Sequence, residues 1–266
     1  MSLFDADGRV LVSPSRLKTW LDCPLKWKAV YVDEVKSPAT PSLVFGTAIH
    51  KALEAHHRSR WLGGTVTAEE LEQSFAEAVK AGCAEGALDP AELDEGEFRA
   101  QARRLIDLYL ARFGEERVAA AELSLTAPIV DFTGEDLGAQ LVGVIDLVTE
   151  DRRVVDLKSS ARSSDLFDLT IAHSLQLDAY RWLMLHSTGA EPKGMEIRML
   201  VRRKNPEVQA FEVPAREGFE AFLRTVRSYV DFVRQSGHAS PRPGLFCGES
   251  CPAYRACRAY HGMEAA

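Results

Sequence analysis

The segment from Gln140 to Ser159, reading QLVGVIDLVTEDRRVVDLKS, constrains what this chain can fold into more than any other. Two runs rich in valine, leucine and isoleucine flank the polar link Glu150-Asp151-Arg152, the pattern of an antiparallel β-hairpin. Side chains alternate along a strand, so Val154, Asp156 and Lys158 share one face while Val155 and Leu157 point to the other. With the turn centred near Asp151, Asp146 stands opposite Asp156, with Cβ atoms about 4.5–5.5 Å apart. Two carboxylates so placed in an otherwise apolar segment repel unless a cation lies between them.

An Asp-x-Lys triplet alone reads first as an edge-strand ion pair worth about 0–1 kcal/mol. Asp146 changes that reading, because two carboxylates and a lysine are what metal-assisted phosphodiester hydrolysis requires. The carboxylates suit one or two hard divalent cations, which polarise a phosphate and acidify a bound water. The lysine offsets charge that grows on the phosphorane oxygens.

The 266 residues, 46% hydrophobic, suit one large domain or a domain with a sizeable insertion. There is no apolar run near the length that spans a bilayer, and the opening MSLFDADGRV lacks a basic start and an apolar signal core, so a cytoplasmic protein with no membrane partner is expected. A net charge of -7 discourages a polyanion partner. Its distribution softens the objection, since a basic surplus lies C-terminally, with Arg202-Arg203-Lys204 and Arg224, Arg227 and Arg234.

Ser13-Pro14 reads as the cap and first position of a helix to about Leu21, and a short helix through Trp27 and Tyr31 follows the break at Cys23-Pro24. Val35 to Ser42 reads as a loop. A helix from Phe45 then carries His50, with Gly46 permitting close approach to a neighbour, and His56 and His57 are expected on the surface. The capping box Thr67-x-x-Glu70 opens a helix to about Lys80, and Asp89-Pro90-x-Glu92 opens one to Gly114. These helices form an acidic insert, residues 51–115. Val118 to Leu125 is expected to be the first strand, carrying Glu122 as a candidate third carboxylate, and Ile129 to Phe132 a further one. A helix from about Leu169 to Thr188 sets Gln176 and Tyr180 at i and i+4, on one face. Two strands, Met195–Arg202 and Val208–Val213, and an amphipathic helix, Phe219–Arg234, complete an α/β sandwich around a mixed sheet.

Five cysteines without a secretory signal point to metal ligands or free thiols rather than a disulfide framework. Cys247, Cys251 and Cys257 fall within eleven residues, and a metal site wants a fourth ligand, from Cys23 or Cys83. Cys23-Pro24 repeats the Cys251-Pro252 arrangement and is favoured; Cys83 is expected to be a small buried hydrophobe. Such a site would join the chain ends, residues 13–31 with 237–260, for on the order of 4–5 kcal/mol by loop closure. All-thiolate ligation leaves zinc and an iron–sulfur cluster open, with irregular spacing leaning toward the cluster.

Taken together, SPSRLKTWLDCPLKW, FGTAIH, GVIDLV, VVDLKS and QLDAY, in that order and followed by the cysteine triplet, resemble the PD-(D/E)xK nucleases of the RecB type, and among them the stand-alone iron–sulfur members such as the AddB C-terminal nuclease and the CRISPR-associated four-cysteine nucleases. The resemblance spans nearly the whole chain except the helical insert. It implies a single nuclease domain over 1–266 with a restriction-endonuclease-like α/β core and an iron–sulfur clasp. It further implies that His50, Asp146, Asp156 and the main-chain carbonyl of Leu157 bind Mg2+ or Mn2+, that Lys158 is catalytic, that Gln176 and Tyr180 form the helix motif beside the site, and that Glu122 matches a strand carboxylate of many members. Cys23, Cys247, Cys251 and Cys257 would hold a 4Fe-4S cluster. Two positions depart from the pattern: Asp156 stands where many relatives carry glutamate, and three residues rather than two separate Cys247 from Cys251.

The expected function is therefore a metal-dependent deoxyribonuclease, an exonuclease on single-stranded DNA ends, with repair, recombination, phage replication and CRISPR spacer acquisition all left open as its pathway. Lacking a phosphate-binding GxxxxGK[ST] loop, it would work alone or beside a separate helicase or integrase. The alternatives are a non-catalytic DNA-binding or architectural subunit and a zinc-stabilised regulator.

Overall fold

The hairpin forms where its sequence places it. In the computed structural model, which describes residues 2–36, 39–86, 88–89, 93–235, 239–244 and 247–263, strands β3 (Asp136–Thr149) and β4 (Arg153–Ser160) pair antiparallel, Leu147 opposite Val155 and Val148 opposite Val154. Arg152 takes a left-handed backbone conformation in the turn, at φ 66°. Before the hairpin come β1 (Val10–Val12), α1 (Pro14–Asp22), α2 (Pro24–Tyr31), α3 (Pro41–Trp61), α4 (Ala68–Gly86), α5 (Glu95–Phe113) and β2 (Val118–Val130). After it come α6 (Leu166–Thr188), β5 (Gly194–Val201), β6 (Glu207–Val213), α7 (Glu220–Arg234) and α8 (Tyr254–Tyr260).

The six strands form one mixed sheet in the order β1-β3-β4-β5-β6, with β2 on the remaining edge of β3. β2 follows that edge from Val118 opposite Thr149 to Val130 opposite Asp136. Two strands share the other edge: β1 pairs in parallel with residues 139–141, and β4 pairs only at 147 and 148. Residues 142–146 of β3 therefore have no strand partner on that side, and the sheet opens into a notch there. Beyond the notch, β4 pairs in parallel with β5 along its whole length, through the crossover helix α6, and β5 pairs antiparallel with β6.

Both faces of the sheet are covered. One core joins α1, α2, α6 and α7 to the sheet through residues such as Leu17, Trp27, Val154, Leu183 and Tyr229. The other joins α3, α4 and α5 to it through Phe45, Leu53, Phe75, Leu105, Val155 and Leu157. Val154 and Val155 thus face opposite layers, as strand alternation requires.

Several expectations need correction. The sheet begins with β1, a three-residue strand too short to show a pattern. Residues 118–130 form one strand, since Pro128 sits on an edge strand where its missing N–H costs no ladder bond. Helix α3 starts at Pro41, capped by Thr40, inside the expected loop. Helix α4 is capped by the reciprocal Thr67–Glu70 bonds but runs on to Gly86. Helix α5 begins at Glu95 with Asp94 as its cap; Pro90 and Glu92 lie outside the described residues. So do parts of the expected clasp region, 237–238 and 245–246. His56 and His57 are buried rather than exposed, because α4 and α5 cover the outer face of α3, and the His57 Nε2 lies 3.0 Å from the Tyr109 hydroxyl. No helix among the described residues is long and apolar enough to cross a membrane.

Candidate active site

The notch in the sheet is where the candidate residues gather. One step beyond the Leu147–Val155 pair, the register sets Asp146 against Asp156, but the ladder does not continue. Instead the Leu157 N–H donates to Asp146 Oδ2 at 2.7 Å, so a side-chain carboxylate stands in for a strand carbonyl. The N–H and C=O of one residue in an extended strand point to the same side, so the Leu157 carbonyl also faces the notch.

Asp156 is completely buried. Its Oδ1 accepts from Lys158 Nζ at 2.9 Å and from Gln176 Nε2 at 2.8 Å. Its Oδ2 lies 2.7 Å from the same ammonium and has no hydrogen-bond partner beyond that ion pair. Burial raises the proton affinity of both Asp146 and Asp156 above the ordinary carboxylate range; Lys158 opposes the shift in each, and Asp146 reinforces it at Asp156. A fully buried carboxylate and a partly buried one served by a single ammonium make a site short of positive charge.

Helix α3 brings His50 to the far end of β4. The helix can approach because residue 46 is glycine: a Cβ there would stand 2.8 Å from Ser159 Oγ. Burial, with the Lys158 charge adding, pushes the His50 imidazole down to about 4, so the ring is neutral and carries a free lone pair at physiological pH. On β2, Glu122 adopts a left-handed conformation, φ 50°, between the pairs Ala121–Leu147 and Leu123–Ile145, across from Asp146. Its carboxyl is pushed up to about 7 by burial, with Asp146 and Glu54 adding.

Helix α6 closes the site from the other layer. Gln176 Nε2 bridges Asp156 Oδ1 and the Tyr180 hydroxyl, and that hydroxyl donates to the Val144 carbonyl at 2.8 Å, inside the unpaired stretch of β3. Tyr180 is buried, and its hydroxyl links Gln176 to the strand. Two further residues join the site without having been singled out in the sequence. Glu54 follows His50 by one helical turn and adds its negative charge at Asp146 and Glu122. His173 precedes Gln176 by three residues and feels Lys158 and Asp156. The i, i+4 spacing of His50 and Glu54 and the i, i+3 spacing of His173 and Gln176 were available signals. Lys18 is different: it shares a cavity with Lys158 only because α1 docks beside α6.

The orphaned Asp156 Oδ2, the neutral His50 ring, Asp146, Glu122 and an inward carbonyl at Leu157 fit a hard divalent cation. Among the described residues, no three ligand-type side chains are already drawn to metal-binding distances, so the lysine holds the position that a cation would compete for.

The cysteines form a second locus. Cys23, Cys247, Cys251 and Cys257 line one cavity of about 410 Å3, whereas Cys83 lies in the core beneath α4. Backbone N–H groups of Arg242 and Gly244 donate to Cys23 Sγ and Cys247 Sγ at 3.3 and 3.2 Å. Burial and the three neighbouring sulfurs push the Cys257 thiol up. Four sulfurs converging on one cavity suit a thiophilic metal or cluster, but they are not closed to ligation distance.

A profile of the PD-(D/E)XK nuclease superfamily matches residues 11–258, nearly the entire chain. The chain belongs to the PD-(D/E)XK nuclease superfamily. Among solved structures, a candidate exonuclease from Eubacterium rectale superposes on the nuclease with a TM-score of 0.54 at 13% identity, over 93% of this chain and 86% of that one, which speaks for the fold alone. The structure of SSO0001 gives a TM-score of 0.33 at 13% identity, over 80% of this chain and 86% of that one, too slight to argue from. No curated protein matches significantly.

The expected basic surface of the nuclease is largely spent on internal partners. Arg198, from the same C-terminal surplus, is fully buried against Glu116 and Glu196. Arg203 pairs with Glu207, Arg224 with Glu220, and Arg227 with Asp131 and Glu135. The Arg203 and Arg224 pairs are local, four residues apart, whereas those of Arg198 with Glu116 and of Arg227 depend on which segments come to lie together.

Proposed function

We propose that the protein is a Mg2+- or Mn2+-dependent deoxyribonuclease that removes nucleotides from single-stranded DNA ends. The observation that carries the reading is the convergence of Asp146 and Asp156 where the β3–β4 ladder stops, with Lys158 beside them and one buried Asp156 oxygen met only by that ammonium. Asp146, Asp156, His50 and the Leu157 carbonyl would hold the ion, with Glu122 on its outer side. When bound, a divalent cation supplies Lewis-acid polarisation of the phosphate and a more acidic water.

The remaining work falls to the chain. Lys158, released from Asp156, donates to the non-bridging phosphate oxygens as negative charge accumulates on them. Gln176 fixes the Asp156 carboxylate, and Tyr180 fixes Gln176, so the acidic pair is positioned before substrate arrives. His50, neutral and buried, offers a lone pair rather than a proton. The four cysteines are assigned to a 4Fe-4S cluster that ties α1 and α2 to the C-terminal segment; Cys23, at the junction of the two helices, makes that tie direct.

End-labelled single- and double-stranded oligonucleotides with Mn2+ test the reading. Stepwise loss of terminal nucleotides from single strands is the expected result, abolished by Asp156→Ala. Full activity in that variant would refute the assignment. Anaerobically purified protein is expected to be brown, with broad visible absorbance that dithionite bleaches and that Cys251→Ser removes; colourless protein containing zinc would overturn the cluster.

A further inference from the structure

Beside the acidic pair lies a cavity of about 500 Å3 between α1 and the first turns of α6, within the range of a small-molecule site. Lys158 opens into it, and so do Lys18 of α1 and Ile171, His173 and Gln176 of α6. Ser15 and Gln176 also line the adjoining cavity over residues 142–144 of β3, so the two form one groove across the site. Phe167 stands one helical turn before Ile171 on the same face of α6. Both are well exposed, at 72% and 59%.

A single exposed apolar side chain is ordinary. Ile171 in the cavity wall, with exposed Phe167 one turn before it on the same helix face and a lysine across the cavity, suits an occupant with both an apolar plane and a negative charge. A nucleotide has both. The Lys18 ammonium is paired with Asp22 at 3.0 Å, but the pair is more than half exposed and so weakly held, leaving the lysine able to turn to a phosphate.

We propose that Phe167 and Ile171 form a stacking ridge for the base next to the scissile bond, while Lys18 across the cavity takes the phosphate joined to that nucleotide. The inference rests on the nuclease reading above and adds to it a subsite that selects an unstacked base. Base stacking on an aromatic side chain is lost with alanine at about 1–3 kcal/mol, which corresponds to roughly 5- to 150-fold in binding. The interaction is made equally in the ground and transition states, so the loss falls on KM and leaves kcat nearly unchanged.

The test couples the ridge to the base. Wild type, Phe167→Ala with Ile171→Ala, and Lys18→Gln are assayed on end-labelled single strands that are either intact or carry one abasic site stepped inward from the end. Binding of the same strands is read by fluorescence anisotropy with Ca2+ replacing Mn2+. Since both ridge residues are exposed, the double variant is expected to keep the wild-type melting temperature. At one position, wild type should lose at least fivefold in KM or Kd on removal of the base, while the ridge variant, already weakened, loses nothing more. Lys18→Gln should weaken intact and abasic strands alike. If the ridge variant and wild type respond equally to base removal, or if the ridge variant binds intact strands as wild type does, the subsite is refuted. Cleavage with no ridge dependence overturns this inference and keeps the nuclease reading; ridge-dependent binding without any cleavage does the reverse.

Discussion

Asp146→Asn is the sharpest probe of the acidic pair, because asparagine keeps the shape and an acceptor for the Leu157 N–H but removes one of its two charges. Carboxylates about 5 Å apart at an effective dielectric of about 20 repel by about 3 kcal/mol. Lys158, 2.7 Å from Asp156, offsets part of this, so neutralising Asp146 should stabilise the cation-free protein by on the order of 1–3 kcal/mol. Both carboxyls hold their protons more tightly folded than unfolded. The folded state therefore binds more protons, and wild-type stability falls as pH rises from the ordinary carboxylate range through the raised values. Thermal unfolding in EDTA should accordingly show Asp146→Asn melting above wild type at pH 8, with the gap narrowing toward pH 4.5. Mn2+ should raise the melting temperature of wild type and leave the variant nearly unmoved, while cleavage by the variant is lost. A variant that melts below wild type in EDTA at pH 8 would refute the argument, since it would mean that the two charges are already balanced in the fold.

Other outcomes follow from neighbouring contacts. Lys158→Met should lower kcat by about 10²–10³ with little change in substrate Kd, measured by single-turnover cleavage and anisotropy. Tyr180→Phe leaves the Val144 carbonyl without its donor and frees Gln176, so a loss of about 1–3 kcal/mol in urea unfolding should accompany reduced kcat. Because Glu122 is held near 7, Mn2+ must displace a proton there at lower pH; its affinity by calorimetry should strengthen as pH rises through about 7, and Glu122→Gln should flatten that slope. Arg198→Ala strips Glu116 and Glu196 of their common partner deep between β5 and α5 and should cost about 3–5 kcal/mol.

Much of the site was legible because it is local. Alternation along β4, the symmetric position of the turn about Asp151, and the helical spacing of Gln176 and Tyr180 depend only on backbone periodicity, so the hairpin register beside Asp146 and Asp156 and the shared face of the α6 pair followed from residue order. The alignment of His50 with β4 was half legible: Gly46 announces a close approach, while the partner it approaches, Ser159, is fixed by packing of α3 on the sheet. The burial of His56 and His57 and the pairing of Arg198 and Arg227 with acids from distant segments escaped the sequence, since a side chain's exposure and long-range partners are decided by which element covers it.

The sequence alone determined the hairpin, its acidic pair with a neighbouring lysine, the caps at Ser13 and Thr67 and the clustering of cysteines near the chain ends, all through spacing and local chemistry. Tertiary structure alone decided that β1 and β4 share one edge of β3 and leave residues 142–146 unpaired between them. That notch, with α1 and α6 beside it, turns a pair of repelling carboxylates into a site with a groove, because strands far apart in the chain had to meet on one edge before the gap could exist.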